Sequence, residues 1–267
     1  MKAPLIHHES HGQPRATILV THGFGEHQGR YATLVEALTE AGYDVFTYDQ
    51  YGHGTSPGPR AQVDVGALIN DHLQARRDLQ GRQRTEKTVL FGHSMGGLIT
   101  AASALINPND TDAVVLSGPA LALTNNPLPP RFGHIASRLA EYAPGLPMAR
   151  LDSSLVSRDP QVVADYDADP LNYHGAIPFL TAATMIWHGH EVLARADRWT
   201  LPLLVIHGDE DELASVDGSW QLVLCAVANG ADAELVEVPG AFHEVFNEPE
   251  APQLRAELLQ WLESRLS

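Results

Sequence analysis

Apolar and polar positions alternate along the chain in a repeating rhythm of short buried runs and longer amphipathic stretches. Ala16–Thr21 (ATILVT) is continuous, apolar and rich in β-branched residues, the pattern of a strand covered on both faces. Tyr31–Ala41 follows with Leu34, Val35, Leu38 and Ala41 at helical spacing, and Gly42 stands where a helix C-cap belongs. The spacing next predicts a strand over Asp44–Tyr48 and a helix over Val65–Leu79 with Asp64 as N-cap. A strand over Thr88–Phe91, a helix over Met95–Ile106 and a strand over Ala113–Ser117 complete this half. The rhythm then breaks. From Pro119 to Thr200 no core strand stands out, and prolines cluster at Pro127, Pro129, Pro130, Pro144 and Pro147. Between them Phe132, Ile135, Ala136, Leu139 and Ala143 form one apolar helical stripe. The rhythm resumes with a strand at Leu203–His207, a helix over Val216–Ala228 and a strand at Glu234–Val238. A final helix carries Leu254, Leu258, Trp261 and Leu262.

Alternating strands and helices predict an α/β architecture: a mostly parallel sheet with helices on both faces. The break predicts an inserted, mostly helical cap over residues 119–200, with residues 1–118 and 201–267 forming the core. In such a sheet, ligand chemistry collects beyond the carboxyl ends of the strands, so candidate motifs are sought there.

Composition narrows the class. A chain of 267 residues with 44% hydrophobic content suits one large globular domain or a core with an insertion. It has no apolar run long enough to span a bilayer, and its first residues have no apolar signal-peptide core. Cys225 is the single cysteine, so no internal disulfide forms, which suits a reducing cytoplasm. The net charge of −16 disfavours nucleic acid and anionic headgroups as partners. No metal-ligand motif emerges. The N-terminal His7, His8 and His11 read as a solvated cluster, and no cofactor is implied.

Three motifs sit just after predicted strands. Gly92-His93-Ser94-Met95-Gly96 follows TVLF and precedes a helix. A sharp strand-to-helix turn lifts a serine hydroxyl above the sheet, and glycines two before and two after it remove side chains that would collide. Ser94 is therefore the candidate nucleophile. His22-Gly23-Phe24-Gly25 closes the first core strand. Phe24 and Met95 are the candidates whose backbone N–H groups would hold a developing oxyanion. In this arrangement the acid and then the base follow the serine along the chain. His207-Gly208-Asp209-Glu210-Asp211 offers three carboxylates. Asp211 is preferred because the loop must clear the strand end before turning toward the base, with Asp209 second. His243 is the one histidine beyond Asp211 and is the candidate base. His53 and His93 read as turn and packing residues.

The segments HGFGEHQGRY (22–31), DQYGHGTSPG (49–58), GHSMGG (92–97), SRDP…DPLNYHG (157–175) and PGAFHEVFNEPE (239–250) resemble those of bacterial and mammalian monoacylglycerol lipases over nearly the whole chain. The resemblance implies the α/β-hydrolase fold, Ser94 as nucleophile, Asp211 as acid, His243 as base and the Phe24 and Met95 N–H groups as oxyanion donors. It implies hydrolysis of monoacylglycerols without metal or cofactor. It also implies that Glu26 and Arg30 line the polar end where glycerol leaves; a purely structural Glu–Arg pair is the alternative. Phe132, Ile135 and Leu139 would line an acyl site or contact a membrane or micelle, the alternative being that they pack on the core. Two departures stand out. Phe24 is larger than the usual residue there and narrows the site. Only fifteen residues precede ATILVT, which puts a first antiparallel strand in doubt. Lysophospholipase, thioesterase and general carboxylesterase activities use the same machinery, and a non-catalytic binding member of the fold is the rival from another class.

Overall fold

The computed structural model describes residues 4–123 and 130–266, with the side chains of residues 130–132 left undescribed. Among these, a seven-stranded sheet forms the centre. Its strands are β1 (Ile6–His8), β2 (Thr17–Thr21), β3 (Asp44–Thr47), β4 (Thr88–His93), β5 (Ala113–Ser117), β8 (Leu203–Gly208) and β9 (Ala233–Val238). Their spatial order is β1-β3-β2-β4-β5-β8-β9. All neighbours are parallel except β1, which pairs antiparallel with β3 (Ile6↔Thr47, His8↔Val45). The strand placed in doubt by the short N-terminal stretch is therefore present, in three residues at the sheet edge. His7 stacks on Phe46 and contacts Asp44 at 3.1 Å, and His8 Nε2 lies 3.0 Å from Thr47 Oγ1. These tertiary contacts hold two of the histidines that the sequence suggested were a solvated cluster.

Strands β2, β3, β4, β5 and β8 are buried on both faces because each alternates its side chains between two helical layers. Ile18, Val20, Val89, Phe91, Val115 and Ile206 face α1 (Ala32–Glu40) and α8 (Ala251–Leu266) through Leu34, Leu38, Leu254, Leu258 and Trp261. Leu19, Leu90, Val114, Leu116 and Val205 face α2 (Val65–Gln80), α3 (Met95–Ile106) and α7 (Val216–Ala228) through Leu68, Leu79, Leu98, Ile99 and Leu222. Asp64 caps α2 as the sequence predicts, its side chain accepting from the Gly66 and Ala67 amides.

Among the described residues, 119–200 add no strand to this sheet. Their described part holds α4 (Pro130–Ala140), β6 (Pro147–Arg150), α5 (Pro160–Ala168), β7 (Ala176–Pro178) and α6 (Phe179–Leu193), with β6 and β7 paired as a separate two-stranded sheet. Helix α6 sends Met185 and Val192 into the same core as α2 and α3, so this end of the insertion is anchored. Hydrogen bonds tie residues 119–200 to loops at the carboxyl edge of the sheet. Among them, Tyr173 N donates to Gly25 O at 2.7 Å, and Glu244 N donates to Val156 O at 2.8 Å. Arg158 adds another tie, donating from its Nε to buried Glu248, whose other oxygen accepts from the Phe242 amide.

Candidate active site

Parallel pairing sets strand ends level. Thr21 pairs with Gly92, His93 with Ser117, and Ser117 with Ile206. The loops bearing Phe24, Ser94, Asp211 and His243 thus leave the sheet on one edge, beside one another.

Ser94 occupies the turn between β4 and α3 with φ 53° and ψ −121°, in the left-handed half of backbone space that a side chain disfavours. The turn closes only because its neighbours are small. A Cβ on Gly92 would lie 2.5 Å from Gly96 O, and one on Gly96 would lie 2.2 Å from Thr21 O. Met95 is the first residue of α3, so its amide is among those left without a partner inside the helix. Phe24 sits in the turn after β2, and Gly25 at φ 75° lets that turn reverse.

The structure brings three of the candidates into one hydrogen-bonded chain. His243 Nε2 lies 2.8 Å from Ser94 Oγ, and His243 Nδ1 lies 2.6 Å from Asp211 Oδ2. The other Asp211 oxygen accepts from the Leu213 and Ala214 amides at 2.8 and 2.9 Å. Asp209 and Glu210 are exposed, and Asp209 instead accepts from the Gly240 amide at 2.5 Å. The preference for Asp211 on loop geometry matches this arrangement. Burial alone would raise the Asp211 carboxyl, but the charge of His243 and hydrogen bonds from His207 and His243 hold it well below the usual carboxylate range. Burial pulls His243 down, yet the Asp211 charge and hydrogen bond outweigh it and leave the imidazole above its ordinary 6.5. His93 is a packing residue that also touches this chain. Its Nδ1 lies 3.0 Å from Ser117 O, and its ring centroid is 4.8 Å from that of His243. Burial, and then the His243 charge, lower it to about 4, so it stays neutral.

Glu26 is buried beside the serine, and Arg30, mostly covered, pairs with it from behind. Glu26 Oε1 accepts from the Gly23 amide at 2.5 Å and Tyr31 Oη at 2.7 Å, and Oε2 from Arg30 Nη1 at 2.9 Å. Arg30 also forms a bidentate pair with Glu244 at 2.5 and 2.8 Å. Burial pushes the Glu26 carboxyl up, but the Arg30 charge prevails and brings it to about 2. A small cleft of about 30 Å³ opens over Ser94, lined by Phe24, Leu151, Val156 and Tyr166 on apolar groups and by Glu26, His93 and Glu244 on polar ones. Glu26 therefore both pairs with Arg30 and borders the nucleophile, whereas Arg30 stands behind it and does not line the cleft at Ser94.

Ile135 and Leu139 are 53% and 57% exposed. They do not line the cleft at Ser94, where Leu151, Val156 and Tyr166 stand instead. The Phe132 side chain lies outside the described residues. Sequence reasoning passed over Leu151, Val156, Tyr166 and Glu244. Glu244 had a signal, as the residue directly after the candidate base.

The chain is similar to known proteins over nearly its whole length. The family model described as Hydrolase_4, serine aminopeptidase S33, matches residues 12–250. The chain is 39% identical over 254 residues to a monoacylglycerol lipase of Mycolicibacterium smegmatis, covering 95% of this chain and 90% of that protein. It is 31% identical to the human monoglyceride lipase over 95% of this chain and 84% of that one. The crystal structure of Paleococcus ferrophilus monoacylglycerol lipase superposes with a TM-score of 0.87 at 31% identity, covering 99% of this chain and 100% of that chain. With its parallel sheet, serine elbow and these relatives, the chain belongs to the Hydrolase_4 family of α/β-hydrolase serine enzymes and, within it, to the monoacylglycerol lipases.

Proposed function

We propose that the protein hydrolyses monoacylglycerols to glycerol and a free fatty acid through an acyl-enzyme on Ser94. The observation that carries the reading is the Ser94–His243–Asp211 chain of 2.8 and 2.6 Å contacts at the base of a cleft lined by both polar and apolar side chains. His243 Nε2 takes the proton as Ser94 Oγ attacks the ester carbonyl, and Asp211 holds the ring's tautomer and stabilises the imidazolium. The Phe24 and Met95 N–H groups receive the oxyanion. The tetrahedral intermediate collapses, the ester C–O bond breaks, and His243 returns its proton to the departing glycerol oxygen. Water, deprotonated by the same ring, then attacks the acyl carbonyl; collapse expels Ser94 Oγ, which regains the proton, and the fatty acid leaves. No step uses a metal or cofactor.

The polar wall favours a neutral alcohol. Glu26 and Glu244 share one guanidinium, so this end carries a formal excess of negative charge that repels a phosphate ester. That supports monoacylglycerols over lysophospholipids and acyl-CoA. Residues 1–118 and 201–267 act as the hydrolytic core and residues 119–200 as its cap. On that cap Ile135, Leu139, Tyr142, Leu146 and Met148 are exposed apolar side chains, with Tyr142 at 88%. They suit transient contact with a membrane or micelle that supplies lipid. No helix among the described residues is long and apolar enough to cross a membrane. Unpaired Cys225 suits a cytoplasmic setting. A fluorophosphonate probe tests the nucleophile: it labels the parent at Ser94 and leaves Ser94→Ala unlabelled. Labelling that survives the substitution, or never occurs, refutes the assignment.

A further inference from the structure

His207 is the penultimate residue of β8 and has no part in the steps above, yet it is completely buried against the acid. Its Nε2 lies 3.0 Å from Ala214 O and 3.1 Å from Asp211 Oδ2, and its Nδ1 lies 2.7 Å from Ser219 Oγ. A carbonyl and an ionised carboxylate only accept hydrogen bonds, so Nε2 carries the proton. In the neutral ring Nδ1 then accepts from the Ser219 hydroxyl, which is itself fully buried on α7. One carboxylate oxygen, Oδ2, is therefore shared by two imidazoles. The Leu213 and Ala214 amides take Oδ1. A carboxylate has about four acceptor sites, and all are engaged.

We infer that His207 is a positioning residue for the acid: its Nε2–H, held in that tautomer by Ser219, shares Asp211 Oδ2 with His243, helping the Leu213 and Ala214 amides fix the carboxylate's rotation and tempering its hold on the His243 proton. The inference rests on the triad reading above. Without the second donor Oδ2 keeps more of its negative charge and attracts the His243 proton more strongly. His243 is then protonated, and idle as a base, up to a higher pH. The other groups facing His243 are Glu26, Glu244 and His93, with Arg30 between the two glutamates. None of them is altered by a change at His207, so a shift in the His243 titration reports on His207 alone.

The experiment compares pH profiles of kcat/KM for a soluble ester, p-nitrophenyl butyrate, among the parent, His207→Gln, His207→Asn and His207→Leu. A glutamine amide nitrogen reaches about where Nε2 lies, an asparagine one reaches the Nδ1 position, and leucine offers neither. His207→Asn and His207→Leu should lose roughly ten-fold in kcat with little change in KM, the scale of one lost hydrogen bond to a charge. Their acid limb should move to higher pH by about half a unit. His207→Gln should keep the parent's limb and most of its kcat. An unshifted limb in His207→Asn, or a glutamine variant as impaired as the asparagine one, overturns the inference. Circular dichroism monitors folding; if His207→Leu does not fold, the glutamine–asparagine pair carries the comparison. Ser94→Ala separates the two levels of argument. If it retains parental activity the triad reading fails; if it is inactive while the His207→Asn limb is unshifted, only the role of His207 fails.

Discussion

In Gly96→Ala, helix propensity and site geometry pull in opposite directions. Gly96 is the second residue of α3, and alanine in a helix is favoured over glycine by about 1 kcal/mol. The new Cβ, however, would lie 2.2 Å from Thr21 O and 2.3 Å from His22 O. Both oxygens are backbone, so no side chain can swing aside. Restoring van der Waals contact requires α3 and the end of β2 to separate by roughly 1 Å. Overpacking of this kind costs about 1–3 kcal/mol, so the net effect is a loss of up to about 2 kcal/mol. For a chain of this size that lowers Tm by several degrees, at roughly 2–4 °C per kcal/mol. The catalytic effect is larger, because Met95 rides on α3 and Phe24 follows β2. Separating them spreads the two N–H groups proposed to hold the oxyanion, and a 1 Å misplacement costs roughly 100-fold in rate. Steady-state kinetics on a soluble ester, beside thermal unfolding, reads both quantities. Gly81→Ala is the control, since Gly81 has φ −78° and its nearest foreign atom would be 3.8 Å from the new Cβ. It should be neutral or slightly stabilising. Parental kcat with an unchanged or raised Tm in Gly96→Ala would refute the packing argument.

Three further outcomes follow from the same geometry. Asp211→Asn should lower kcat about 10⁴-fold by disturbing the His243 tautomer, whereas Asp209→Asn should stay within a few-fold of the parent; kinetics on the two variants decides between the carboxylates. In the parent, kcat/KM should rise as pH climbs through a value above 6.5, because burial is outweighed by Asp211 in keeping His243 protonated and the base acts only when neutral; a profile flat from pH 5 to 8 would contradict this. Replacing Ile135 and Leu139 by serine should reduce hydrolysis of micellar or vesicle-borne monoacylglycerol several-fold and leave a soluble short ester unchanged, since both side chains are exposed and remote from the cleft; an equal loss on both substrates would place them in the site instead.

The strands buried on both faces were legible because a continuous run such as TILVT has few alternatives at that length. The serine elbow was legible because steric need forces glycine at 92 and 96. Strand β1 was not: three residues, two of them histidine, carry no periodicity, and their order comes from Phe46, Asp44 and Thr47 across the sheet. Strands β6 and β7 were hidden by the prolines at 147 and 178. The amphipathic stripe of α4 was visible, but periodicity cannot say what an apolar face meets, and Ile135 and Leu139 meet solvent. Leu151, Val156 and Tyr166 border the cleft because residues 119–200 are tied to the sheet-edge loops through contacts such as those of Tyr173, Glu244 and Arg158. That docking also explains why SRDP and PGAFHEVFNEPE stand out together, for Arg158 of one segment pairs with Glu248 of the other.

The central claim is tested most directly by initial rates of fatty acid release from monoacylglycerols of increasing chain length, beside diacylglycerol, lysophospholipid and short p-nitrophenyl esters, for the parent and Ser94→Ala. Medium- or long-chain monoacylglycerols should be the best substrates, lysophospholipids should be disfavoured by the acidic wall of Glu26 and Glu244, and Ser94→Ala should release nothing above background. Preferential cleavage of lysophospholipid, or of short activated esters alone, would contradict the substrate assignment, and activity retained in Ser94→Ala would contradict the mechanism.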